Sequence, residues 1–342
     1  MSRMPARAGP GRVRNTRCLR EPSAVMCRSA SFIPHPRRRQ IVNDTGFLYT
    51  AFLAISGWHV AFEREFSLRE TPASSIEQSA FRLAKARLTV TPLTDFPGSL
   101  PTDLSSAYDC QQRALAHWPQ REPAGLKVAR IAPAWQQQFP EERLIGPILA
   151  GHVYRSSGEV LDCPVIDGGF AAVEAELGIH VAADAPAGKQ DWTPESAVSM
   201  VARLCIGVEI ASSPMPQIND LGPGAVISDF GNNWGAIAGA DLEGWRTLHA
   251  PVEVQTRIDG AVVGRATILV PETPLAALAF ALNKSAQLGQ PLRAGQYIST
   301  GMITGVHDIR VGQEAQVTFG ENGERGEIRC RMIRAQPEGS SL

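Results

Sequence analysis

No sign of charge dominates this chain. Its formal net charge is −1 at pH 7, which gives no argument for nucleic acid or an anionic membrane as a general partner. None of the six cysteines (Cys18, Cys27, Cys110, Cys163, Cys205, Cys330) falls in CxxC spacing. That excludes the usual structural zinc pattern and suggests no disulfide framework. A reducing, cytoplasmic compartment is the simplest expectation. No GxGxxG follows a strand pattern, no P-loop is present, and no Ser-His-Asp arrangement is legible. Internal repeats are absent. The apolar run GFLYTAFLAISGWHVAF at 46–62 carries His59 and falls short of the ~20 residues that a bilayer-crossing helix needs. It also comes too late for a signal peptide.

What is present divides unevenly. The first forty residues hold ten arginines and a single acid, Glu21. Such a segment buries too little apolar surface to offset its ordering entropy and reads as disordered. The same composition describes an organelle transit peptide. The favoured expectation is that residues 1–70 lie upstream of the natural start, because ordered patterning begins after Arg69. At 342 residues and 44% hydrophobic content, the whole chain suits two domains or one large domain with an appendage and can build a substantial core.

Ser74 with Glu77 forms a capping box for a helix over 75–90, and a second helix is expected over about 102–117. Strands follow at 160–182 and 201–211. Alternation on both sides of Asp259-Gly260 signals a hairpin. Thr273 is expected to cap a helix that ends at Gly289. The pattern is α+β, helical first and then dominated by sheet.

Three acids stand out. In Val173-Glu174-Ala175-Glu176-Leu177, the period of two puts both glutamates on one strand face and the apolar residues on the other. That face meets either water or a hard cation, since Mg²⁺ and Mn²⁺ favour carboxylate oxygens. Glu209 lies in the apolar run LCIGVEI, where an unpaired carboxylate would be costly. Its partner is either an arginine, such as Arg203 or Arg246, or the same cation. Lys127 lies between Leu126 and Val128 and is either a surface lysine or an acid/base group. Weaker signals are the loop Ser228-Asp229-Phe230-Gly231-Asn232-Asn233, the strand end Thr300-Gly301, and His180 on the glutamate face.

In order along the chain, these motifs resemble the 2-keto-4-pentenoate hydratase and 4-oxalocrotonate decarboxylase branch of the fumarylacetoacetate hydrolase superfamily. The similarity runs from about 105 to 333. Ala107-Tyr108-Asp109-Cys110-Gln111 is similar to the branch's Ala-Tyr-x-x-Gln motif. GLKVA is similar to its Gly-x-Lys-x-Gly segment, VEAEL to its Glu-x-Glu motif, VEIASS to the stretch with the third Glu, and QPLRAGQYISTGMITG to the segment ending in Thr-Gly. The resemblance implies Mg²⁺ or Mn²⁺ held by Glu174, Glu176 and Glu209, with Lys127 for proton transfer. It implies substrate contacts from Asp229, Asn232, Asn233, Thr300 and Gly301.

The activity implied first is a hydratase acting on a 2-hydroxy-dienoate or unsaturated 2-oxo acid of aromatic catabolism. A decarboxylase, a C–C hydrolase and a non-catalytic keto-acid-binding paralogue are the alternatives. The fold implied is a mixed β-sheet roll with a small helical N-terminal domain, in a homo-oligomer. Its divisions would be an extension over 1–70, an N-terminal domain over 71–150 and a metal-binding domain over 151–335. The chain departs from the pattern in three places. Leu144 stands for an acid of a Pro-Asp-Phe-Gly segment, Asn232 or Asn233 for a serine, and Ala129 for a glycine.

Overall fold

The computed structural model describes residues 75–337, together with the backbone of 40–42 and 48–50. The expectations for the Arg-rich segment and the Ser74 cap lie outside the described residues. β1 (Gln40–Val42) and β2 (Leu48–Thr50) form an antiparallel pair. Among the described residues no helix is long and apolar enough to cross a membrane.

The ordered unit opens with α1 (Ser75–Leu88) and α2 (Leu104–Ala116). Asp103 caps α2 by accepting the Ser106 amide at 2.9 Å, satisfying one of the free N–H groups of the first turn. The helices pack through Ala80, Leu83 and Ala84 against Cys110, Ala114 and Leu115. β3 (Gly125–Arg130), β4 (Arg143–Ile148), β5 (Val153–Arg155), β6 (Leu161–Val165) and β7 (Phe170–Val181) follow. Then come α3 (Pro194–Ala197), β8 (Val201–Ser213), α4 (Pro223–Ser228), β9 (Asn233–Asp241) and α5 (Trp245–Leu248). The hairpin β10 (Ala250–Ile258) and β11 (Ala261–Val270) precedes α6 (Glu272–Gln287). β12 (Tyr297–Ser299), β13 (His307–Asp308), β14 (Glu314–Phe319) and β15 (Gly326–Arg334) complete the chain.

Two mixed sheets result. The larger runs β4-β3-β12-β7-β8-β9-β5, with β13 also on β7, and the smaller runs β11-β10-β14-β15-β6. Val173, Ala175, Leu177 and Ile179 of β7 share one apolar cluster with Val208 and Ile210 of β8 and with Val254, Val317 and Ile328 of the smaller sheet. The face expected to be apolar is therefore the buried one. Asp259 and Gly260 both take positive φ, 48° and 80°, as a two-residue hairpin turn requires.

One sequence expectation is corrected. The N-cap of α6 is Pro271, not Thr273, and Thr273 sits inside the first turn. Thr71–Leu342 forms one compact unit. Within it β3 and β4 join β7 and β8 in one sheet through β12.

α1 contributes a cation to the interior. Arg87 is wholly buried and its Nε lies 2.5 Å from Asp229 Oδ1. It also donates to the carbonyl oxygens of Asn233, Ser212 and Asp229 at 2.8–3.0 Å. The guanidinium stands 5.1 and 5.5 Å from the ring centroids of Phe230 and Trp234. Removing one partner of a buried ion pair leaves the other uncompensated. Arg87→Ala is expected to destabilise the chain by about 3–5 kcal/mol, read as a fall in the guanidinium chloride unfolding midpoint. An unchanged midpoint would show that the pair carries no stability.

Candidate metal centre and substrate cavity

Antiparallel pairing of β7 with β8 sets Glu174 directly opposite Glu209 and Glu176 opposite Gly207. Directly opposed residues project to the same face, so the three glutamates converge. A ligand oxygen from each lies within 4.8 Å of the others, and all three residues are buried. The polar face of β7 thus meets protein rather than water.

β12 carries Ser299 and Tyr297 onto the same face, pairing Ser299 with Gly178 and Tyr297 with His180. β3 then places Lys127 beside Ser299. Glycines make room for this crowding. A Cβ on Gly178 or Gly207 would fall 2.0 or 2.6 Å from the Tyr297 hydroxyl oxygen. A Cβ on Gly146, opposite Lys127 on β4, would fall 2.2 Å from the Phe230 carbonyl oxygen. Phe230, Gly231 and Asn232 take positive φ in succession, at 56°, 71° and 61°. That backbone is costly for the two non-glycine residues, and it lays Gly231 against the aliphatic stem of Lys127.

Lys127 Nζ lies 2.7 Å from Glu209 Oε1, a buried ion pair. Ser299 donates its hydroxyl to Glu176 Oε2, and the Gly301 amide donates to the same oxygen at 3.1 Å. Glu176 Oε1 and Glu209 Oε2 are buried without a hydrogen-bond donor. Burial pushes the Glu174 carboxyl up to about 7, against the pull of Lys127. Burial, then Glu209 and Glu174, raises Glu176 well above the usual carboxylate range. For Lys127, burial works against the charged form, but the attraction of Glu209, Glu174 and Glu176 outweighs it and raises the pKa.

With all three carboxylates ionised beside the one ammonium, this buried site would carry an excess of two negative charges, and the raised pKa values of Glu174 and Glu176 express that cost. Hard oxygen donors, orphaned lone pairs and that excess fit a small divalent cation.

Arginine is not the partner of Glu209. Arg203 pairs with Asp241, and Arg246 lies 4.2 Å over the Trp245 ring and donates to the Val201 carbonyl. The half-buried His180 packs edge-on against Tyr297 at 5.3 Å, and burial lowers its pKa.

A cavity of about 610 Å³ opens onto the cluster. Lys127, Glu174, Asn232, Thr300 and Gly301 line it, as does Leu144. The Thr300 hydroxyl is turned away to the Leu177 carbonyl at 2.8 Å. Asn232 Oδ1 is buried without a hydrogen-bond donor, while its amide lies 3.5 Å from Asn219 Oδ1.

Asp229 and Asn233, expected as substrate contacts, do not line the cavity. Arg87 binds both carboxylate oxygens of Asp229, and the Asn233 amide turns to the Gly235 carbonyl. Glu141, three residues before Leu144, is paired with Lys284. Sequence reasoning also missed Ser299, Tyr297 and Arg143. Ser299 could have been found from its place two residues before Gly301 on a short strand.

No family model and no curated protein matches the chain. Solved structures do. Two structures of 4-oxalocrotonate decarboxylase from Pseudomonas putida G7 are each 23% identical to it, with TM-scores of 0.61 and 0.62. Each match covers 79% of this chain and 100% of the other. One is complexed with calcium and acetate, the other with magnesium and adipate. The chain has the fold of 4-oxalocrotonate decarboxylase. The mixed-sheet architecture implied by the resemblance to that branch of the fumarylacetoacetate hydrolase superfamily is thus the one adopted.

This fold depends on close passage over the glycines. Gly178→Ala is expected to cost about 1–3 kcal/mol by overpacking against Tyr297. Adding Tyr297→Leu should recover part of that loss in a double-mutant cycle of denaturant unfolding. Strictly additive losses would mean that the ring is not what Gly178 accommodates.

Proposed function

We propose that the chain is a divalent-cation-dependent enzyme acting on an unsaturated 2-oxo acid, with Mg²⁺ or Mn²⁺ held by Glu174, Glu176 and Glu209. The observation that carries this reading is the buried cluster of three carboxylates against one ammonium, with Glu176 Oε1 and Glu209 Oε2 lacking a donor. The hard cations and carboxylic acids in the decarboxylase structures support it. A cation bound there supplies a Lewis acid for the 2-oxo oxygen and hence an electron sink for the conjugated acid.

The chain's own residues supply position and protons. Ser299 and the Gly301 amide fix Glu176 by two hydrogen bonds. Gly231 confines the Lys127 stem so that its ammonium reaches the cluster from the β3 side. Ile131, Leu144 and Val226 give the cavity an apolar wall that thins out water around the reacting carbons.

Decarboxylation is the reaction that this lining supports best. The bond to the departing carboxylate breaks, CO₂ leaves, and the electron pair enters the conjugated system. A carbon of that system then takes a proton from Lys127. An acid is needed, and no separate base. Among the described lining residues Glu174, itself a ligand in this reading, is the sole carboxylate, and no histidine lines the cavity. Hydration, the activity expected first from the sequence, is the second reading. It is favoured by a cavity of about 610 Å³, which has room for a water beside the acid.

The deciding experiment is an ultraviolet assay of the purified full chain with 2-oxohex-3-enedioate and with 2-hydroxypenta-2,4-dienoate, each with and without Mg²⁺. Mg²⁺-dependent loss of the first with release of CO₂ is expected. Consumption of the second alone would make the chain a hydratase, and Mg²⁺-dependent binding without turnover would make it a non-catalytic paralogue. Mg²⁺ should raise the thermal midpoint of the wild type but not that of Glu174→Gln/Glu176→Gln, and a wild type indifferent to Mg²⁺ and Mn²⁺ would overturn the metal reading. Lys127→Met should keep the Mg²⁺-dependent stabilisation while turnover falls at least ~10²-fold, the scale of a lost proton-transfer group.

A further inference from the structure

A second cavity, of about 370 Å³, lies behind the strand that carries Lys127. The ladder of β3 and β4 shows the separation. Lys127 pairs with Gly146, whereas Leu126 pairs with Pro147 and Val128 with Ile145. Successive residues face opposite sides of a sheet. Leu126, Ile145 and Pro147 line this second cavity, and Lys127 and Gly146 do not. The two cavities share no lining residue, and the chemistry proposed above leaves the second one unused. Its volume falls within the roughly 300–1,000 Å³ that small-molecule sites occupy.

The floor of this cavity is apolar apart from one group. Leu115, Leu126, Ile145, Pro147 and Leu292 are buried there. Beside them lies Gln111, which is 6% exposed. Its side-chain nitrogen donates to the Ile145 carbonyl at 3.1 Å and to the Ile227 carbonyl at 2.7 Å. Two acceptors fix which end of the amide carries the hydrogens. The oxygen is the end left over, and it makes no hydrogen bond among the described residues. A buried amide oxygen is normally satisfied by a donor. The mouth is different in character. Arg121, Arg293 and Glu122 stand there exposed. Glu122 lies 3.5 Å from Arg293, so two arginines against one glutamate leave a positive excess.

These features describe one ligand chemistry. A neutral hydroxyl satisfies the Gln111 oxygen without placing a charge among leucines. A carboxylate is disfavoured beside that oxygen and attracted to the guanidinium groups at the mouth. Between the two ends the walls suit an apolar body, and an aromatic ring fills such a space while losing little freedom on binding. We infer that this cavity binds a hydroxyaryl carboxylic acid, with its hydroxyl inward on Gln111 and its carboxylate outward toward Arg121 and Arg293. The site stands back to back with the substrate cavity, needs no cation, and does not rest on the 2-oxo acid reading.

The test is calorimetric binding of 4-hydroxybenzoate and 3-(4-hydroxyphenyl)propanoate to the full chain in EDTA, where no cation draws a carboxylate to the glutamates. At least one acid is expected to bind, and Glu174→Gln/Glu176→Gln should bind it equally well. Loss of the ligand's hydroxyl, in benzoate or 3-phenylpropanoate, should weaken binding ~5-fold, the scale of one neutral hydrogen bond. Loss of its carboxylate, in phenol or 4-ethylphenol, should weaken it ~10-fold. The hydroxyl comparison tests the Gln111 contact without substituting a residue that also holds two carbonyls. Leu288→Trp, which fills the cavity from the end of α6, should abolish binding. The exposed Arg121→Ser/Arg293→Ser should remove the preference for the acid over its phenol and leave affinity for the phenol unchanged, which also reports that the variant is folded. Binding of neither acid, affinity indifferent to the hydroxyl and the carboxylate, or binding untouched by both Leu288→Trp and Arg121→Ser/Arg293→Ser would overturn the assignment. Each of those outcomes leaves the cation-dependent reading of the glutamate cluster standing.

Discussion

Three carboxylates and one ammonium share a buried face of the larger sheet, and the rest of the molecule is arranged around that imbalance. Bringing a charged group out of water costs several kcal/mol even after the protein relaxes. The ion pair of Lys127 with Glu209 offsets that cost for one acid only. Ser299 and the Gly301 amide reduce it for Glu176, and the remaining excess is expressed as the raised pKa values of Glu174 and Glu176. The glycines at 178, 207 and 146 follow from the same constraint, since they admit Tyr297 and the 230–232 loop close enough to exclude solvent. An evolved fold retains such a cost where function needs it.

The second buried ionic group shows what a purely structural solution looks like. Arg87 and Asp229 match one cation with one anion, and the guanidinium also binds three carbonyl oxygens. Nothing is left over for a ligand. The glutamate cluster differs in having excess charge, oxygens without donors and a cavity at its edge. Burial is common to both groups, so burial does not distinguish them. The distinguishing quantity is unmet valence. Arg87 serves the site indirectly, because it ties α1 to the loop whose positive-φ residues confine Lys127.

Local pattern made the faces of β7 legible, since a period of two needs no tertiary information. It could not tell what covers the polar face. That depends on β12 and β3, whose residues lie more than a hundred positions downstream and some fifty upstream of β7. The motif around Asp229 misled for a related reason. A loop rich in Asp, Asn and Gly suits a ligand, but its carboxylate had already been claimed by Arg87 from a helix 142 residues away. Thr273 was a reasonable cap by residue type, yet the turn after β11 starts the helix at Glu272.

Floor and wall of the cavity answer to different demands. The floor is the glutamate cluster with Lys127, and any reaction that routes electrons through a 2-oxo acid can use it. Its geometry is set by register across β7, β8 and β3, where a slip of one residue would turn the glutamates into the apolar core. The wall is built from the ends of β3 and β4, from β11 and from the loops after β8 and β12. Leu144 belongs to this wall while lying buried within β4. The wall is therefore apolar where it meets the floor, and low local polarity strengthens every charge interaction among the glutamates and Lys127.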